Sequence, residues 1–235
     1  MSQITTLTFF KYPSLKSKVW AFIMMPIARY PLARTKGLNF YKLMGSGKAG
    51  FNPAPDWSTY GLLQIWDREE AANEFFNTSQ LFQKYKRNSL EQYTIYMKSI
   101  DAKGEWSGKN PFEKSETLND SIPFIAVITR ATIKFKMLRT FWKYVPTSQE
   151  PLKNNDGLLF TMGIGEVPLT QMATFSIWKN KEALMDFAYK SKEHAQAIVK
   201  TRKLKWYKEE LFSRFQPYKT RGLWGGKDIL EKNNL

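Results

Sequence analysis

The chain repeats itself, and that constrains its fold more than any other feature. MGSG at Met44–Gly47 returns as MGIG at Met162–Gly165, and Ile65–Trp66 returns as Ile177–Trp178. After each Ile-Trp pair, Glu70, Ala71, Phe75 and Ser79 match Glu182, Ala183, Phe187 and Ser191 without a gap. GEWSG at Gly104–Gly108 then returns as GLWGG at Gly222–Gly226. Ordered anchors with such small differences in spacing argue for a duplicated scaffold.

Each copy reads strand, helix, strand, strand, helix, strand. In the first copy these are Thr5–Lys11, Leu15–Ala28, Leu38–Met44, Thr59–Trp66, Glu69–Lys86 and Tyr93–Ile100. In the second they are Pro123–Ile133, Met137–Val145, Leu158–Ile164, Met172–Trp178, Lys181–Leu204 and Leu211–Tyr218. β-Branched and aromatic residues mark the strands, and a 3.6-residue apolar period marks the helices. Two helices per four strands is the βαββαβ, ferredoxin-like pattern. The expected fold is therefore α+β: two such units, residues 1–108 and 122–235, whose sheets pair as an α/β barrel. The polar segment 109–121, with Pro111, joins them. Trp66 and Trp178 should stand at equivalent strand ends.

The chemistry is narrowed by scarcity: one histidine, His194, and no cysteine. Zinc sites of the His/Cys kind, thiolate-held iron–sulfur clusters, thiolate-ligated haem and a cysteine nucleophile are all excluded. One histidine still suffices as the single protein ligand of a haem, or as a lone general base. Asn180 is placed to cap the helix that carries it. His194 falls on that helix's apolar stripe with Phe187, Ser191, Ala195 and Ile198. A core histidine satisfied by one hydrogen bond is the plainer reading. The duplication adds a contrast: the first copy carries Phe82 where the second carries His194, as expected of a site grafted onto one copy of a repeated scaffold.

The formal charge is +15, from 36 basic and 21 acidic residues. A field of that sign favours acidic partners. The basic residues are dispersed and no nucleic-acid signature accompanies them, so an acidic redox protein or an anionic membrane face is expected rather than nucleic acid. GSGKAG at Gly45–Gly50 lacks the spacing of a phosphate loop and reads as a turn. No GxSxG elbow precedes His194. No apolar run reaches the roughly 20 residues of a membrane span, and the N-terminus lacks the pattern of a signal peptide. The expected location is cytoplasmic, with room for peripheral membrane contact.

Longer strings carry a resemblance: KSKVWAF, ARYPLARTKGLNFYKLMGSG from Ala28, TRATIKFKMLRTFW from Thr129, MGIGEVPLTQMATFSIW from Met162, HAQAI at His194, and the run from Trp206 to Leu211. In order and spacing these resemble the spheroidene monooxygenase family of acyclic carotenoid 2-ketolases, over nearly the whole chain. The resemblance implies a haem-dependent monooxygenase whose fold is similar to that of dimeric α/β-barrel haem proteins such as chlorite dismutase. It further implies that His194 is the proximal ligand of a haem b in the second copy.

Under that implication, His194 would donate its second ring nitrogen's proton to Glu209, Glu210 or a backbone carbonyl. The haem would lie between helix and sheet, lined by Phe187, Ser191, Ile198, Phe160, Met162 and Ser176, with Arg130 as the distal cation. Alternation along a strand does not say which face lines that space. The substrate would be apolar and carotenoid-like, and an acidic donor such as ferredoxin would supply electrons. Self-association is compatible with this scheme. Two other readings fit the residues: a haem enzyme of the same fold using peroxide or an N–O substrate, and a haem-free binding module.

Overall fold

The computed structural model describes residues 2–48, 52–149, 155–190 and 206–231. The first copy contributes β1 (Ile4–Lys11), α1 (Leu15–Ile27), α2 (Arg29–Ala33), β2 (Leu38–Lys48), β3 (Asn52–Trp66), α3 (Glu69–Thr78), α4 (Gln80–Asn88) and β4 (Glu91–Gly104). The second contributes β5 (Ile125–Ile133), a single 3-10 turn (Phe135–Met137), α5 (Leu138–Gln149), β6 (Leu158–Val167), β7 (Gln171–Trp178), α6 (Lys181–Lys190) and β8 (Tyr207–Gly222).

Both copies have the ferredoxin-like strand order, β4-β1-β3-β2 and β8-β5-β7-β6, and together they close one antiparallel barrel. Trp66 and Trp178 end equivalent strands: Trp66 pairs with Ile4 and Leu38, and Trp178 with Ile125 and Leu158. The two seams differ in length. β4 and β8 pair from Tyr93↔Gly222 to Gly104↔Leu211, whereas β2 and β6 meet only at Gly45↔Gly165 and Ser46↔Ile164.

Each sheet has an inner face toward the barrel axis and an outer face toward its helices. Seven of the eight residues of β1 are buried, because both faces of that central strand are covered. Inside, Phe9, Phe160 and Phe175 pack with ring centroids 5.4–6.1 Å apart. Both ends are closed by the repeated Gly-Xaa-Trp-Xaa-Gly turns. Trp106 N–H donates to Lys109 O, and Trp224 N–H to Lys227 O. The Gly108 amide donates to Glu209 and the Gly225 amide to Glu91, each at 2.7 Å. Glycine is required where these turns leave the strands. Gly104 (φ +97°) and Gly222 (φ +85°) lie so near Glu210 O and Gln92 O that a Cβ would fall within about 2 Å of those carbonyls.

Three local features depart from the sequence reading. The expected helix 69–86 is two helices, because Ser79 leaves the helical region (φ −65°, ψ 119°) and its hydroxyl accepts the Phe82 N–H instead. A short helix, α2, follows α1. The segment 109–121 carries no helix or strand, yet it packs closely: Phe112 is buried edge-on against Phe215 at 4.9 Å, and the Ser115 amide donates to Ser99 O. Asn180 caps α6 as expected, its Oδ1 accepting the Ala183 N–H at 2.8 Å.

Candidate functional site

The first helix–sheet layer is full. On the outer face of the first sheet, Phe10, Leu43, Tyr60 and Leu62 are buried beneath Phe75, Phe76, Phe82 and Tyr85 of α3 and α4. Tyr41, half-buried, packs against this cluster. Phe82 packs against Phe76 at 4.8 Å and Phe10 at 6.1 Å.

Strand register gives the residue occupying each corresponding position of the second sheet. Leu62 pairs with Leu43 as Thr174 pairs with Gly163; Gln64 pairs with Tyr41 as Ser176 pairs with Thr161; Tyr60 pairs with Phe10 as Met172 pairs with Ala131. Leu43, Leu62, Tyr41 and Phe10 thus become Gly163, Thr174, Thr161 and Ala131. Met172 stands in for Tyr60, but most of the aromatic and aliphatic bulk that fills the first layer is missing from the second floor, whose centre is a surface of small groups and hydroxyls. Thr129, also on this face, is exposed. The Thr161 hydroxyl is buried with no hydrogen-bond partner, and a buried polar group without a partner is costly. Small side chains and an unused hydroxyl on one sheet face suit a flat ligand with an apolar body and a polar centre.

The expected site residues divide between the two faces. Ser176 and Phe187 are on the outer side: Ser176 Oγ accepts the Trp178 indole N–H at 2.9 Å, and Phe187 packs on Trp178 at 5.0 Å. Phe160 and Met162 point the other way, into the barrel core. Ser191, His194 and Ile198 lie outside the described residues.

Arg130 also faces inward, so it is not on the side of the second floor. It is 3% exposed and sits at one end of the barrel between two carboxylates. One guanidinium nitrogen donates to Glu209, another lies 3.7 Å from Glu166, and the guanidinium carbon lies 5.6 Å from the centre of the Trp106 ring. Glu166 in turn accepts from Lys42 and from the Trp106 indole, each at 2.6 Å. Burial alone would raise the Glu209 carboxyl. The Gly108 and Ser107 amides and Arg130 outweigh it, holding the group below its ordinary value. Arg130 is therefore neutralised in place and pins the Trp106 turn across the barrel end. Glu209, one of the expected partners of His194, is engaged here on the inner side. Glu210 pairs with Ala131 on the outer side and is exposed.

Sequence reasoning missed Thr161 and Gly163. The signal lay in comparing the two copies strand by strand, beyond the helix where Phe82 matches His194. Among the described residues, no group of three or more His, Cys, Asp or Glu is placed to hold a metal ion.

No family model matches the chain. A spheroidene monooxygenase of Cereibacter sphaeroides is 35% identical over 96% of this chain and 70% of its own length. One of Rhodobacter capsulatus is 33% identical over 99% of this chain and 97% of its own length, and one of Rubrivivax gelatinosus 31% over 90% and 81%. Among solved structures, an aldoxime dehydratase in complex with butyraldoxime superposes with a TM-score of 0.65. It does so at 8% identity, covering 97% of this chain and 85% of that one. A second aldoxime dehydratase gives a TM-score of 0.64 at 10% identity, covering 97% and 87%. Those two show a common fold, while the close sequence relatives show kinship along almost the whole chain: it belongs to the spheroidene monooxygenase family.

Proposed function

We propose that the chain is a haem-dependent monooxygenase that oxygenates an apolar polyene, a carotenoid of the kind its relatives are named for, with one haem b in the second helix–sheet layer. The observation that carries this reading is the exchange of Leu43, Leu62, Tyr41 and Phe10 in the first layer for Gly163, Thr174, Thr161 and Ala131 in the second. His194 would be the axial ligand. Its counterpart Phe82 points into the first layer, which supports the same helix position addressing the second. When bound, haem supplies activation of O2 with electrons from an external donor.

The chain's own residues have separable tasks. The floor of Gly163, Thr174 and Ala131 gives a flat group room against the sheet. Trp178, Val127, Leu184 and Phe187 form an apolar cluster beside it that excludes water. Thr161 Oγ1 carries an uncommitted proton with which to orient an oxygen of a bound ligand. The barrel interior is packed and its ends are closed, so the substrate approaches from the helical side. A charge of +15 favours encounter with an acidic ferredoxin as electron donor.

The test is isotopic. The purified chain is supplied with spheroidene, a reduced acidic ferredoxin and 18O2. The reading expects 18O in the ketone product and no turnover without reductant. Undiminished turnover without reductant and without added peroxide, or product oxygen drawn from water under conditions where the ketone does not exchange, would contradict it.

A further inference from the structure

Helix α1 is amphipathic in an unusual way, for it carries two apolar stripes. Ser17, Ala21 and Met24 face the protein and are buried. On the opposite side Leu15, Val19, Phe22, Ile23 and Ile27 follow the helical period, and Tyr30 of α2 continues the line. All six are exposed, from 49% at Val19 to 78% at Leu15. Trp57 of β3 widens the stripe, its ring 5.3 Å from that of Phe22 and itself 51% exposed. A contiguous outward stripe of this kind marks an interaction surface.

Charge identifies what it meets. The first 55 residues contain no Asp or Glu. Lys18 and Arg29 flank one edge of the stripe and Lys16 the other, while the Arg34 guanidinium stacks on Tyr30 at 3.5 Å. Among the described residues no carboxylate forms a salt bridge with these four cations. The first acid, Asp56, is engaged by the Ser58 amide and hydroxyl, with Lys18 near enough to help hold its carboxyl down but outside salt-bridge distance. A symmetric contact with a second copy would set these cations against one another. An anionic lipid surface instead pairs the cations with headgroups and takes the apolar stripe into the acyl boundary.

We propose that the outward face of α1, widened by Trp57, docks this protein on an anionic bilayer, with the helix lying in the plane of the interface. A helix of 13 residues is too short to cross. The proposal rests on this face alone, independently of what the second layer holds.

The full chain is mixed with sucrose-loaded phosphatidylcholine vesicles, with or without phosphatidylglycerol, and sedimented. Sedimentation is expected with the anionic vesicles, weakening as salt is raised, and is expected to be poor with phosphatidylcholine alone. Phe22→Ser with Ile23→Ser should lower partitioning by about tenfold or more. Lys18→Glu with Arg29→Glu should do the same on anionic vesicles, and it keeps the test open if the first pair fails to fold. The proposal is overturned if the wild type stays in the supernatant at low salt, or if folded variants bind as it does. It is equally overturned if F22S/I23S turns a dimer into a monomer with vesicle binding unchanged, which would assign the face to a second copy.

Discussion

Replacing Arg130 by Met removes a buried cation and keeps an apolar stem of similar length. Taking one partner from a buried ion pair costs about 3–5 kcal/mol when the remaining charge is left alone. Here the remaining charges are not wholly alone. Glu209 and Glu166 keep 18% and 17% of their side-chain exposure; Glu209 retains the Gly108 amide, and Glu166 retains Lys42 and the Trp106 indole. The expected loss is therefore about 2–3 kcal/mol at pH 7, or roughly 5–10 °C in melting temperature for a chain of this size. The pH dependence follows from Glu209. A carboxyl held below its unfolded value contributes stability that is present above about pH 4.5 and is lost as pH falls through the folded value. Once protonated, Glu209 no longer needs the guanidinium, so the gap between wild type and variant should narrow in acid. Urea unfolding followed by tryptophan fluorescence at pH 7 and at the lowest pH where both proteins remain folded, well below 4.5, measures both quantities. A gap below about 0.5 kcal/mol at pH 7, or an equal gap at both values, would refute the reasoning. Because Arg130 faces the barrel interior, the variant should also retain whatever the second layer binds.

Two further substitutions separate the barrel end from the second floor. Trp106 is 1% exposed beneath an otherwise exposed turn; Trp106→Ala opens a cavity there and should cost about 3–5 kcal/mol in the same unfolding assay. Thr174→Leu copies Leu62 onto the second floor; the fold should survive, as the first copy shows that leucine is accommodated there, while haem content measured by pyridine haemochrome should fall about tenfold or more. Wild-type haem content in Thr174→Leu would remove the floor from the argument.

The duplication was legible because its anchors are large, rare residues at fixed spacings. Trp66 and Trp178 end equivalent strands, and Trp106 and Trp224 close the barrel ends with the same turn. The strand faces were not legible. β1 is buried on both sides, so the alternation that separates inside from outside is missing, and in β6 an inward Phe160 and Met162 alternate with an outward Thr161 and Gly163. Arg130 illustrates the same difficulty. The haem scheme expects it as a distal cation, but its carboxylates come from Glu166 and Glu209, distant in sequence and brought together only by barrel closure. The segment 109–121 reads as a tether by composition, whereas Phe112 anchors it in the core.

The most direct test of the central claim is the visible absorption spectrum of the purified full-length chain, oxidised and after dithionite, for the wild type and for His194→Ala. The account predicts a Soret band that shifts on reduction in the wild type and is abolished or greatly weakened in the variant, which should melt close to the haem-free wild type because Phe82 shows the equivalent helix position needs no imidazole. A His194→Ala protein with the wild-type spectrum, or a wild type reconstituted with haem that shows no Soret band after desalting, would contradict it.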